Sequence, residues 1–412
     1  MIEYESFSLD NGLDVLVNTD KTTPMVAMNI LYKVGARNEH PDKTGFAHLF
    51  EHLMFGGSVN IPSYDGPLQI AGGENNAFTN NDFTNYYLTL PSQNIETAFW
   101  LESDRMLSLG FSEHSLEVQR SVVIEEFRQR YLNQPYGDVW LHLRPLAYKE
   151  HPYQWPTIGK EVSHIENATL DDVKDFFKRF YHPSNAILSL SGNIDVDTAK
   201  KLCDKWFAPI PAGKAVSLEL PQESEQHEKR ILSVEKDVPY DAIYKAWHCC
   251  ARMDDDYYST DLITDILSAG KSSRLYNSLV QNRKIFTNVN IYMLGDIDES
   301  LVVADGTLAQ GVSMDQAEEA LDEELSKLSS QEPSQRELQK VKNKVSSAIA
   351  FGDMSIANRA LNLCYYNMLG DTSLILNQKE KYHSVTGDDI KSTAEKVFRE
   401  SNSSVLYYNA KK

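Results

Sequence analysis

Hydrophobic and polar positions change rhythm along this chain, and each rhythm predicts an element. Leu13-Asp14-Val15-Leu16-Val17 and Met25-Val26-Ala27-Met28-Asn29-Ile30-Leu31-Tyr32 are short, mostly apolar runs that read as strands, the first entered through an Asn11-Gly12 turn. A period near 3.6 takes over from Ile95 to Leu107 and from Leu116 to Tyr131, which predicts helices. Strands gathered early and late, with helices between, suggest an α+β sandwich rather than a doubly wound sheet.

The pattern also repeats. Thr169-Leu170-Asp171-Asp172-Val173-Lys174 and Thr386-Gly387-Asp388-Asp389-Ile390-Lys391 each read as a Thr N-cap with Asp at the third helical position. That arrangement satisfies orphan amides and suits the helix dipole. Each helix leads to an Asn and a strand, Asn185-Ala186-Ile187-Leu188 and Asn402-Ser403-Ser404-Val405. The offsets agree, since 386 − 169 = 217 and 402 − 185 = 217; duplication explains one ungapped offset better than chance. Pro209-Ile210-Pro211-Ala212-Gly213-Lys214 and the charged run from Gln222 to Lys229 read as a linker. The expected organisation is a domain at 1–208, a linker at 209–228 and a homologous domain at 229–412. Each would be an α/β sandwich, a mostly antiparallel sheet covered by helices.

Charge narrows the function classes. Lysine plus arginine minus aspartate plus glutamate is 40 − 59 = −19, a field that repels phosphate backbones and argues against a nucleic-acid partner. No run of ~18 apolar residues encodes a membrane span. Met1-Ile2-Glu3-Tyr4-Glu5 lacks the basic and apolar regions of a signal peptide, so the expectation is a cytoplasmic protein or a mature periplasmic form. Cys203, Cys249, Cys250 and Cys364 form no Cys-x-x-Cys pair and read as buried reduced thiols. No Gly-x-Gly-x-x-Gly or Walker-type loop supports nucleotide binding.

The chemistry concentrates in Thr44-Gly45-Phe46-Ala47-His48-Leu49-Phe50-Glu51-His52-Leu53-Met54-Phe55, an apolar helix carrying three polar groups. At ~100° per residue, His48 and His52 lie ~40° apart on one face, with Glu51 beside them. Two imidazoles at that spacing suit one Zn²⁺, whose Lewis acidity lowers the pKa of a coordinated water toward ~7. Glu51 could accept the water's proton and pass it to a leaving amine. A single buried histidine is more often a hydrogen-bonded core residue, but three such groups left unsatisfied in one apolar helix would cost ~1–3 kcal/mol each. A catalytic zinc needs a third protein ligand. In Glu117-Val118-Gln119-Arg120-Ser121-Val122-Val123-Ile124-Glu125-Glu126-Phe127 the Val122–Ile124 run calls for burial. Glu126 shares a face with Gln119 and Val122, Glu125 points elsewhere, and spacing alone does not choose between the two glutamates.

These residues resemble the inverted-motif (HxxEH) zinc peptidases, the family of pitrilysin, insulin-degrading enzyme and mitochondrial processing peptidase, over essentially the whole chain. The resemblance implies one zinc per chain held by His48, His52 and Glu126, with Glu51 as general base. It also matches Gly72-Gly73-Glu74-Asn75-Asn76-Ala77-Phe78-Thr79, on through Asp82, Thr84 and Tyr86, to the edge strand where substrate peptides add as an extra strand. Asn76, Ala77, Phe78 and Thr79 are the implied substrate-binding residues. Two departures matter. Where the family often has a supporting glutamate two turns before the third ligand, Gln119 stands here, so weaker or differently tuned metal binding is expected. Where active members carry an Arg and, seven residues later, a Tyr, this chain has Gln281 and Asn288. The expectation is therefore a zinc endopeptidase subunit that closes a clamshell chamber over peptide substrates. A zinc-free homologous subunit would supply the Arg/Tyr pair, a heterodimer in preference to a homodimer. A non-catalytic scaffold that keeps the fold is the alternative.

Overall fold

In the computed structural model, which describes residues 2–216 and 219–411, the first strand-rich stretch builds a six-stranded sheet. Its strands are β1 (Glu5–Ser8), β2 (Asp14–Thr19), β3 (Met25–Tyr32), β4 (Glu74–Thr79), β5 (Thr84–Pro91) and β6 (Ala186–Gly192). They lie in the order β1-β2-β6-β3-β5-β4, with β2 and β6 parallel and the other neighbours antiparallel. Strands β3 and β6 are central and buried nearly end to end. That burial on both faces is why Met25–Tyr32 reads as almost continuous apolar sequence instead of alternating.

A second sheet is built from β7 (Arg230–Lys236), β8 (Ala242–His248), β9 (Phe286–Met293), β10 (Leu301–Leu308) and β11 (Ser403–Ala410), in the order β7-β11-β8-β10-β9. Here β7 and β11 are the parallel pair. With β1 set aside, the two orders superpose strand for strand. The offset persists: β8 starts 242 − 25 = 217 residues after β3, and β11 starts 403 − 186 = 217 after β6. Thr169 and Thr386 each cap their helix by accepting from the amide three residues on. The fold class is thus two sheet-plus-helix domains of mixed α and β content.

The two compact units meet at Leu220/Pro221, inside the stretch expected as a linker at 209–228, and in addition exchange two segments. One unit comprises Met1–Arg128, Trp155–Leu220 and Ala350–Asn377; the other comprises Gln129–Gln154, Pro221–Ile349 and Gln378–Lys412. Within the first unit, helix Ile356–Met368 buries Leu363, Cys364 and Tyr366 with Leu16, Leu31 and Ile187. Within the second, helix Val139–Ala147 buries Val139, Leu143 and Ala147 with Leu406 and Tyr408. An amphipathic pattern says that a face must be covered, but it does not say by which sheet. Two further expectations change. Cys250 is half-exposed while Cys203, Cys249 and Cys364 are buried, all four as free thiols. Val122 is 45% exposed although its neighbour Val123 is fully buried. No helix among the described residues is long and apolar enough to cross a membrane.

Candidate metal centre

The His48–His52 segment is helical over Phe46–Leu53, and the reason it starts where it does is local. Gly45 sits at the N-cap with φ +88°, a left-handed conformation, and a Cβ there would lie 2.6 Å from the Ile158 carbonyl oxygen. Above it the Glu39 carboxylate accepts from the Gly45 amide at 2.9 Å and the Ala47 amide at 2.8 Å, satisfying two donors of the first turn. Burial pushes the Glu39 carboxyl up to about 8, against the pull of those amides. On the inner side Phe50 is fully buried, its ring centroid 4.9 Å from both Phe176 and Tyr181. That aromatic anchor, with Phe46, Leu49 and Leu53, fixes the rotation of the helix and leaves His48, Glu51 and His52 half-buried on the other side.

Helix Glu113–Phe127, capped by Ser112, packs against this segment and ends one residue beyond Glu126. Its buried residues are Leu116, Val123 and Phe127. On the face shared by Gln119, Val122 and Glu126 the two polar residues are half-buried and Val122 is exposed, the reverse of the burial that the apolar run suggested for Val122. Glu126 is half-buried there and Glu125 is exposed.

The three ligand candidates meet. Glu126 Oε2 lies 3.6 Å from His48 Nε2 and 3.4 Å from His52 Nε2. Among the described residues this is the one group of three or more histidine, cysteine or acidic side chains whose ligand atoms all lie within 4.8 Å. Tetrahedral ligation with ~2.0–2.1 Å bonds puts neighbouring ligand atoms roughly 3.3 Å apart. A carboxylate oxygen 3.4–3.6 Å from each imidazole nitrogen, with all three ligand atoms within 4.8 Å, suits one small divalent cation. The rings meet edge to face at 4.8 Å between centroids, so both Nε2 atoms converge without stacking.

Glu51 stands apart from that trio. Burial raises its carboxyl above the usual range; the Thr79 hydroxyl and His52 draw it down, and Glu126 pushes it up again. Thr79 Oγ1 donates to Glu51 Oε2 at 2.7 Å. Thr79 had been singled out only as a residue of the substrate strand, and nothing in the spacing pointed to its bond with Glu51. Nor did any motif reveal Glu39.

Asn76, Ala77, Phe78 and Thr79 all lie on β4, the last strand of its sheet, hydrogen-bonded to β5 alone among the sheet's strands. An edge strand of this kind can accept an extended peptide. Gln119 is half-buried two turns before Glu126 on the same helix. In the second unit, Gln281 is exposed and donates to the Tyr276 hydroxyl at 2.7 Å, and Asn288 is exposed on β9.

Comparison with known proteins gives two family matches. Residues 14–161 match the model described as insulinase (peptidase family M16), and residues 167–345 match the one described as peptidase M16 inactive domain. The chain is similar to a zinc protease, PqqE, of Helicobacter pylori, at 29% identity over 98% of this chain and 92% of that protein. Among solved structures it resembles a protease from Helicobacter pylori, with TM-score 0.93 and 27% identity, covering 99% of this chain and 100% of the other. The periplasmic protease PqqL of Escherichia coli shares the fold at TM-score 0.80 and 17% identity; 99% of this chain covers 48% of that one.

Proposed function

The chain belongs to the M16 peptidase family, and from that premise we propose that it is the zinc-bearing subunit of a metalloendopeptidase. The observation that carries this reading is the convergence of His48 Nε2, His52 Nε2 and Glu126 Oε2 at zinc-ligand spacing, with Glu51 at their side. One zinc per chain, when bound, supplies Lewis-acid activation of water and of the scissile carbonyl. Glu51 takes the proton of the attacking water and returns it to the leaving amine, oriented by the Thr79 hydroxyl. The free edge of β4, with Asn76, Ala77, Phe78 and Thr79, aligns the substrate as an added strand. Main-chain hydrogen bonds then bind peptides or unfolded segments without demanding one sequence.

Gln281 and Asn288 offer a developing oxyanion neutral amide donors only, without the positive charge of an Arg or the phenol of a Tyr, and so stabilise it less. A zinc-free homologous subunit supplying that pair completes the reading as a clamshell heterodimer. Purified alone, the chain is expected to bind zinc and turn over unstructured peptides poorly; robust turnover by a monomer would sink the heterodimer. The second reading, a non-catalytic scaffold, draws support from the inactive-domain match over 167–345. Elemental analysis and Glu51→Gln in the active assembly separate the two. The enzyme reading expects about one zinc in both proteins and a 10²–10⁴-fold loss of hydrolysis in the variant; a chain without zinc favours the scaffold.

A further inference from the structure

Most polar side chains buried outside the metal centre have close partners of their own. Lys245 lies 2.8 Å from Glu318 and 2.7 Å from Asp322, and Arg105 makes a two-pronged contact with Glu102. The vicinal thiols just past the end of β8 have weaker partners, the Cys250 carbonyl for Cys249 Sγ at 3.8 Å and the Thr260 hydroxyl for Cys250 Sγ at 3.5 Å. Cys249 and Cys250 line a cavity of ≈400 Å³ in the second unit, room enough for a small organic molecule.

The two sulfurs are not equivalent. Cys249 is buried, its amide held by the Ser300 carbonyl at 2.8 Å, and burial pushes its thiol well up. Cys250 is half-exposed, and its Sγ lies 3.5 Å from the Thr260 hydroxyl. Hydrogen bonding from Cys249 holds the Cys250 thiol down, burial opposes it, and Thr260 adds to the lowering. The Lys396 side chain lines the same cavity. A partly accessible thiol with a donor on one side, a cation nearby and a second thiol as its chain neighbour has the parts of an exchange centre.

The cavity's charge selects what could react. Glu223, Glu225, Asp254, Asp256 and Glu299 line it against the cations Lys396 and Arg399. Both cations are already paired, Lys396 with Asp256 at 2.6 Å and Arg399 with Glu225 at 3.3 Å. The remaining field is negative, so cationic reagents are drawn in and anionic ones kept out. We propose that Cys250, backed by Cys249, is a thiol–disulfide exchange site for small cationic disulfides.

The chemistry balances. The Cys250 thiolate attacks one sulfur of RSSR; that S–S bond breaks as the Cys250–SR bond forms, and RS⁻ leaves to take a proton from water. Cys249, losing its own proton, then attacks the Cys250 sulfur and expels the second RS⁻. Two electrons pass from the protein to the reagent, leaving a Cys249–Cys250 disulfide and two RSH.

The full chain is treated with cystamine or with glutathione disulfide at low salt, each rate normalised to that of an unstructured cysteine peptide. Thiol loss and intact mass are followed, and the modified residue is mapped by peptide mass. Cystamine is expected to react at least about tenfold faster than glutathione disulfide, with the ratio collapsing toward one at high salt. Cys249→Ser is expected to stop at the Cys250 mixed disulfide, whereas the wild type goes on to lose both thiols without a retained adduct. Equal rates for the two reagents, or a Cys249→Ser product identical to that of the wild type, would overturn the assignment. Peptide mapping of the wild type needs no variant to fold, and an adduct first appearing on Cys203 or Cys364 would overturn it equally.

Discussion

At the scale of the residue, the decisive contact is the 2.7 Å bond from Thr79 Oγ1 to Glu51 Oε2. A general base is useful only in the orientation that reaches its proton, and a half-buried carboxylate held by the hydroxyl and the backbone of one residue has that orientation chosen for it. Replacing Thr79 by Val keeps the β-branched shape and removes the donor. The expected result is unchanged zinc content and unchanged KM, with kcat down about tenfold, the equivalent of one lost hydrogen bond to a charged group. Steady-state kinetics on the active assembly checks it, and a variant with full kcat would remove Thr79 from the mechanism. Gln119 offers a test of the opposite sign. Restoring a charge with Gln119→Glu is expected to tighten zinc binding by about tenfold in competition with a chelator, as supporting residues behind metal ligands do.

At the scale of the element, the metal centre depends on how one eight-residue helix is begun and anchored. Such a short helix is not stable by itself in water, so its geometry is imposed by Glu39 at one end and Phe50 inside. Glu39→Ala would leave the Gly45 and Ala47 amides buried without their acceptor, at about 1–3 kcal/mol. Hydrogen–deuterium exchange in 45–49 is expected to rise, and zinc affinity to fall with it, since His48 sits in the first turn. Unchanged exchange in that segment would show that the cap is dispensable.

At the scale of the whole molecule, duplication produced two sheets with one strand order, but acidic groups serve different ends in each unit. In the first, Glu126 converges on the two imidazoles while Glu51 stands beside them, bonded to Thr79; in the second, Glu318 holds a structural charge cluster. Glu318 lies 2.7 Å from Lys229 and 2.8 Å from Lys245, and accepts from the Tyr407 hydroxyl. Burial pushes its carboxyl up, but these partners prevail and hold it at about 2. A carboxyl depressed on folding contributes stability above its unfolded pKa near 4.5, and that contribution is lost as pH falls toward 2. The second unit of the wild type is thus expected to weaken steeply between about pH 5 and 2. Glu318→Gln should be less stable at pH 7 and show a shallower slope over that window. Chemical denaturation at several pH values, read through Trp247 in the same unit, decides the matter; parallel slopes would exclude Glu318 as a source of acid sensitivity.

Much of this was legible without coordinates, where the signal is local. The His48–Glu51–His52 spacing follows from helical geometry, and the capped helices at a 217-residue offset follow from backbone chemistry that any neighbourhood must satisfy. The residue pattern of Val122–Ile124 misled about which face of the Glu126 helix is buried, because three adjacent apolar residues point around the helix and only packing selects Val123. Tertiary structure alone decided that Glu126 reaches both imidazoles, that Thr79 holds Glu51 and that Glu39 caps the helix. It also decided that 129–154 and 350–377 belong to the opposite units from those their sequence positions suggested. The physical reason is common to all of these. Periodicity and capping are properties of a few consecutive residues, whereas a ligand set, a positioned base and a covered sheet face depend on groups brought together by folding across long stretches of chain.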